Sequence, residues 1–352
     1  MWRNIRNIRT GALFLALIFL GFPAVGTTQK KNQASEEKRG IAGNGTPVLW
    51  RNPDDIASRN LFYGPGGKED EPHTTFTFLK EDLNGTNPKF DVRDQDGVKW
   101  KVKLGEEARP ETVASRLVWA VGYFTNEDYF LPSLRVEEMP AHLQRKRARK
   151  LDFSSGLITN VRLKRYLKGE KKIGTWQWRH NPFTSTRELN GLRVMMALIN
   201  NWDLKDENNA IYEEKDGAGP EGTQKIYMIS DLGASFGTTG RRRSNSVSKG
   251  NLVSYSHSRF ISKITPDYVD FNMPTRPSLA LAVNPKEFFS RLHLRWIGKH
   301  IPRADAKWMG QLLGQLSPGQ VRDAFRAAGY SPQEVDEFAT VVEKRIGELN
   351  EL

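Results

Sequence analysis

Asn200-Asn201-Trp202-Asp203-Leu204-Lys205-Asp206-Glu207-Asn208-Asn209 is the stretch on which the reading of this chain turns. It closes the segment 185–200 (STRELNGLRVMMALIN), where Leu189, Leu192, Val194, Met195, Met196, Leu198 and Ile199 leave almost no polar face. A helix apolar nearly all round is a buried helix, so the stretch is a polar loop carried by the core. Within it Asp203, Lys205 and Asn208 follow the order D-x-K-x-x-N. Phosphoryl transfer asks little covalent chemistry of a protein, which must orient a hydroxyl, neutralise the moving group and hold magnesium. Asp203 can accept or orient the hydroxyl proton, Lys205 can reach a γ-phosphate, and Asn208 can offer an amide oxygen to Mg²⁺. Taken alone, the same letters also fit a polar helix end whose Asp and Asn satisfy loop backbone groups.

Working outward, 226–233 (IYMISDLG) is an apolar strand that delivers Asp231 followed by Leu-Gly, an arrangement suited to a second magnesium ligand. Upstream, 98–104 (VKWKVKL) alternates strictly, with Val98, Trp100, Val102 and Leu104 on one face and Lys99, Lys101 and Lys103 on the other. Lys103 ends that strand and Glu111 opens the next helix, so the two can pair and hold the lysine against α- and β-phosphates. Lys101 shares the face and remains an alternative, as does a plain solvated face of lysines. Before the strand stands Asn84-Gly85-Thr86-Asn87-Pro88-Lys89. A tight turn at Gly85, Thr86 and Asn87 brings backbone N–H groups close to phosphates, and Lys89 adds a point charge. By itself an Asn-Gly turn is only a hairpin turn, and this one is not a Walker sequence.

In this order, glycine turn with lysine, strand lysine, helix glutamate, D-x-K-x-x-N and strand-D-L-G, the sequence resembles the atypical protein-kinase-like fold. It is most similar to the HipA-like toxin kinases and their phosphoinositide-kinase relatives. Asn181-Pro182-Phe183 and Arg187-Glu188-Leu189-Asn190-Gly191, leading into Asn201-Trp202-Asp203-Leu204-Lys205, also resemble secreted bacterial proteins of this type. The resemblance covers roughly 76–237. It implies an α+β, two-lobed fold binding ATP and Mg²⁺ between a strand-rich lobe and a helical lobe. It implies Asp203 and Lys205 as catalytic residues, Asn208 and Asp231 as metal ligands, and Gly85, Thr86, Asn87, Lys89, Lys103 and Glu111 around the nucleotide. Two features depart from the pattern: Asn201-Trp202 stands where a His-Arg pair would, and Leu232 where a Phe would.

The rest of the chain fits this organisation. Residues 1–26 carry Arg3, Arg6 and Arg9, the apolar run GALFLALIFLGF and a small-residue exit, which reads as a secretory signal. Residues 27–45 read as a polar linker. The segment 46–172 is strand-rich, with strands expected at 75–79, 89–92, 99–104, 129–136 and 156–166 and a helix at 110–123 opened by Pro110. From 173 to 352 the texture is helical, with short strands at 210–213 and 225–230. Ser317-Pro318 and Ser331-Pro332 mark helix starts, and Ser331 to Glu334 fits a capping box. The 352 residues contain no cysteine, which excludes disulfides, thiolate metal sites and cysteine nucleophiles. A net charge of +12 favours anionic partners. The expected location is periplasmic or extracellular, with an N-terminal anchor if the signal stays attached. The acceptor is a hydroxyl compound (protein, lipid head group or sugar), and no specific nucleic-acid binding is expected.

Two other readings compete. A kinase-like module of the cell envelope without turnover would share the fold. A serine hydrolase would use Ser235 of Gly233-Ala234-Ser235-Phe236-Gly237, with Asp267 and His293 downstream. That elbow needs a helix directly after the serine, and the sequence at 238–246 is a poor helix start. Of two basic runs, 145–150 (RKRARK) reads as a solvated face, and Arg241-Arg242-Arg243 lies where a kinase would receive its substrate.

Overall fold

Alternation at the lysine strand sets the first lobe. The computed structural model describes residues 45–84, 87–145, 148, 151–214, 223–238, 249–274, 281–282 and 284–352. The signal segment 1–26, the linker up to 44, Gly85, Thr86, Arg241-Arg242-Arg243 and most of the run 145–150 lie outside them. No helix among the described residues is long and apolar enough to cross a membrane.

After β1 (Thr46–Val48) come β2 (Thr75–Glu81), β3 (Lys89–Arg93), β4 (Lys99–Leu104), helix α1 (Ala108–Ala120), β5 (Asp128–Glu137) and β6 (Leu157–Arg165). The five strands β2 to β6 close into a barrel in the order β2-β3-β4-β6-β5. Antiparallel pairs make most of it, and a parallel pair, Thr75 opposite Arg135 and Phe76 opposite Val136, shuts it. Phe76, Phe90, Val92, Trp100, Val102, Val161 and Leu163 fill the interior. The other face of β4 is not the solvated face that a lysine run suggests. Lys101 is half-buried and Lys103 only 6% exposed, because α1 packs across β5 and β6 and brings Glu111 to Lys103, while Asp82 and Asp91 meet Lys101. The helix begins two residues before Pro110, after a turn at Gly105 (φ +98°) whose carbonyl accepts from Ala108 N–H (3.1 Å). It stops at Ala120 rather than 123, because Gly122 (φ +94°) turns the chain back toward Trp50 and Arg51.

The second lobe holds β7 (Glu170–Gly174), α2 (Arg187–Leu198), β8 (Asn209–Glu214), β9 (Gln224–Ile229), α3 (Leu252–Ser256), β10 (Ile261–Ile264), β11 (Tyr268–Phe271), α4 (Pro285–His293), β12 (Ile301–Pro302), α5 (Arg303–Leu313), α6 (Pro318–Arg326) and α7 (Pro332–Asn350). One sheet has the order β1-β9-β8-β7 and another the order β10-β11-β12. As its pattern demands, α2 is buried, and its start is capped by Thr186 Oγ1 accepting from Leu189 N–H (3.2 Å). Both serine-proline starts form full capping boxes, Ser317 with Gln320 and Ser331 with Glu334. The large apolar core links α1, α2, α5, α6 and α7. The chain is therefore α+β and two-lobed, a strand lobe with one helix followed by a helical lobe, as the kinase-like resemblance implies.

Candidate active site

The register of the barrel puts three cations in a row. Lys103 on β4 lies opposite Lys89 on β3 and opposite Arg162 on β6. Like charges directly across strands repel, so the row stands only with carboxylates against it. Glu111 of α1 supplies the centre: fully buried, it takes Lys103 Nζ at 2.9 Å on one oxygen and Arg162 at 2.8 Å on the other. Arg162 also reaches Asp128 at 3.0 Å. Lys103 Nζ further contacts Glu107 at 2.6 Å and Asp231 at 3.1 Å. Lys101, by contrast, turns to Asp82 and to Asp91 (3.4 Å), while Lys89 sits 3.5 Å from Asp82. The lysine that pairs with the helix glutamate is thus Lys103.

This burial tunes the charges. Desolvation works against the Lys103 ammonium, yet Asp231, Glu111 and Glu107 outweigh it and raise its pKa. For Glu107 burial also opposes ionisation, but Lys103 and Lys249 hold its carboxyl down at about 2. One turn further on, burial prevails at Glu111 over Arg162 and Lys103 and pushes the carboxyl up to about 7. Oxygens of Glu107, Glu111 and Asp231 lie within 4.8 Å of one another, close enough to hold an ion. Lys103 already contacts all three, so that trio is a lysine cage rather than a set of waiting ligands.

The D-x-K-x-x-N loop enters from the other lobe. At the end of α2, Asn200 takes a left-handed conformation (φ +52°), which asparagine tolerates better than most residues. Its side chain donates to Ser258 Oγ (2.7 Å) and Gly237 O (3.1 Å) and accepts from Arg345 (3.0 Å). Buried Arg345 also donates to Leu198 O (2.8 Å), so α7 fixes where the loop departs. Trp202 N–H then donates to Ala234 O (3.2 Å), and Asp203 N–H to Asn201 Oδ1 (2.9 Å). Asn208 Nδ2 donates to Asp203 O (2.6 Å), so Oδ1 is the atom that could take a cation, and Ser230 N–H donates to Asn208 O (2.8 Å). These bonds tie the loop to the end of β9, where Asp231 begins. Asp231 keeps 43% of its side chain exposed and Asp203 keeps 29%. Gly233 has a steric role: a Cβ there would lie 2.7 Å from Glu107 Cβ.

A cleft of about 760 Å³ between the lobes collects these groups. Asn87, Lys89, Lys103, Glu111, Asp203, Lys205, Asn208 and Asp231 all line it, while Gly85 and Thr86 lie outside the described residues. A second cavity of about 620 Å³ shares Lys205 and Glu207 and continues toward Asn284, Lys286 and Ser290. Sequence reasoning missed Glu107, Arg162, Lys249 and Arg291. Glu107 was findable, standing one helical turn before Glu111. Arg162 becomes visible only once the β4–β6 register is known, and Lys249 and Arg291 carry no local signal. The hydrolase reading is overturned, because Ser235 is fully buried with its hydroxyl donating to Leu232 O (2.8 Å). Among the described residues that follow it, 236–238, no helix begins.

No protein-family model matches the chain, and no curated protein does. Among solved structures it is similar to the Helicobacter pylori proinflammatory kinase CtkA, at 11% identity and a TM-score of 0.41, covering 80% of this chain and 98% of that one. It is also similar to the Golgi casein kinase with Mn/ADP bound, at 10% identity and a TM-score of 0.35, covering 80% of this chain and 72% of that one. Another structure of the Golgi casein kinase gives 10% identity and a TM-score of 0.31, covering 95% and 94%.

Proposed function

We propose that the chain is a phosphotransferase that moves the terminal phosphoryl group of magnesium-bound ATP to a hydroxyl acceptor. What carries the reading is one buried lysine, Lys103, held by the helix carboxylate Glu111 and by Asp231 in the cleft that also holds Asp203, Lys205 and Asn208. Asp231 and the Oδ1 of Asn208 suit Mg²⁺, a hard cation taking few protein oxygens; bound there, it would neutralise charge on the phosphates. Lys103 would anchor the α- and β-phosphates, and Lys89 with Asn87 would cover them. Arg291 occupies Asp203 Oδ1, so Oδ2 is the atom to receive the acceptor proton. The acceptor O–H bond breaks as the new O–P bond forms, the β–γ bridge breaks, and ADP leaves, with Lys205 stabilising the transferred charge.

The test combines thermal stability with turnover. Magnesium-dependent stabilisation by ATP is expected, since a ligand bound only by the native state stabilises it by mass action. ADP release should accompany it, with water or an added hydroxyl compound taking the phosphoryl group, and Asp203→Ala should abolish release and retain the thermal shift. A shift without release in the wild-type chain would make it a binding module, and no shift at all would remove the nucleotide reading.

A further inference from the structure

Lys103 and Asp203 belong to different lobes, and phosphoryl transfer needs both held in place at once. A line of buried contacts joins them. Glu107, 2.6 Å from Lys103, meets Lys249 with its other carboxylate oxygen. The Lys249 ammonium lies 5.8 Å from the centre of a Trp202 ring, and the Arg291 guanidinium 5.1 Å from one. Arg291 donates to Trp202 O (3.3 Å) and ion-pairs with Asp203. The line is anchored to the backbone just after Asp231: Trp202 N–H donates to Ala234 O, and Gly250 N–H, next to Lys249, donates to Ser235 O (2.9 Å). Glu107, Trp202 and Arg291 are buried, where an indole attracts cations more strongly than it does in water.

We propose that Trp202 couples the two halves of the site, holding Lys249 and Arg291 through its ring so that Lys103 and Asp203 stay in register. Arg291 is then a positioning residue for Asp203, and Lys249 one for Lys103 through Glu107. The inference rests on the phosphotransferase reading and adds to it the residues that position its two halves.

The experiment measures steady-state ADP release by the full chain with magnesium and ATP, water taking the phosphoryl group in place of the hydroxyl acceptor so that inorganic phosphate forms with the ADP. Arg291→Gln should lower kcat about 100-fold, the cost of a small misplacement at a reacting centre, with KM for ATP unchanged. Arg291→Lys should recover part of it. Lys249→Met should instead raise KM for ATP. Trp202→Phe, which keeps an aromatic face, should retain most activity, and Trp202→Leu should show both defects. Adding Lys249→Met to Trp202→Leu should then cost nothing more, because the two act along one line. A Trp202→Leu chain as active as wild type, or strictly additive effects, would each overturn the coupling while leaving the phosphotransferase reading standing. If Trp202→Leu does not fold, the double variant Arg291→Gln with Lys249→Met decides alone: losses smaller than the sum of the single ones uphold the coupling, and strictly additive losses overturn it. A wild-type chain without turnover removes both proposals.

Discussion

The two ends of the cleft are built from the same pairing and differ in burial. At the inner end Lys103, Glu111 and Arg162 are closed off from water, with Asp231 and Glu107 around the same ammonium. At the outer end, two residues back along β4, Lys101 pairs with Asp82 and Asp91 while side chains there keep 10–23% exposure. Desolvation makes the inner charges depend on one another, whereas water screens part of the outer ones. The contrast teaches that one strand can carry a closed-off lysine and a partly screened one side by side, both lining the cleft and told apart by what packs over them.

The largest effect expected is at the inner end. Glu111→Ala leaves two buried cations short of a partner, and breaking such a group costs about 3–5 kcal/mol in urea unfolding. A loss no greater than that of an exposed pair would mean the inner end is wetter than its burial indicates. Next comes Gly233→Ala, whose methyl would press on Glu107 and overpack the site by about 1–3 kcal/mol. Combining it with Glu107→Ala should relieve most of that cost, and an undiminished cost would place the strain elsewhere. Smaller again, Lys101→Ala should cost about 1 kcal/mol or less, as partly screened pairs do.

Acidity separates the two glutamates of α1. The folded Glu107 carboxyl is held at about 2, below its ordinary value, so its contribution is complete above roughly 4.5 and disappears as pH falls toward 2. Glu111, pushed up to about 7, has the opposite sign: the folded state binds the extra proton, and stability declines as pH rises from about 4.5 to 7. Chemical denaturation across pH should show Glu107→Gln flattening the acid limb and Glu111→Gln flattening the slope above it. Identical profiles for the two variants would erase the distinction.

Much of this molecule can be read before any coordinates. The alternation at 98–104, the apolar helix before Asn200, the strand ending at Asp231 and both serine-proline caps each follow from local physics, and all appear as elements. What escapes has a physical cause. The short strands β7, β10 and β11 are too brief or too polar to show a period of two, so only tertiary pairing makes them strands. Arg162 is one more basic residue in a mixed strand until the register places it opposite Lys103. Arg291 and Lys249 lie far along the chain from the groups they hold, and no local pattern announces a contact closed by folding. The lysine face shows the reverse error at Lys103, because a position that reads as solvated becomes an interior where a helix with the matching acid covers it, while Lys99 on the same face stays exposed.

Barrel closure by the parallel β2–β5 pair has a further consequence. Among the described residues every strand of that ring has a neighbour on both sides for part of its length, so the ring offers only short open stretches of amides and carbonyls, at the ends of β2 and β5 beyond their three-residue pairing. Side chains are therefore the larger recognition surface of this lobe. The ring is also poorly suited to seed stacked, fibre-like assembly even at high concentration.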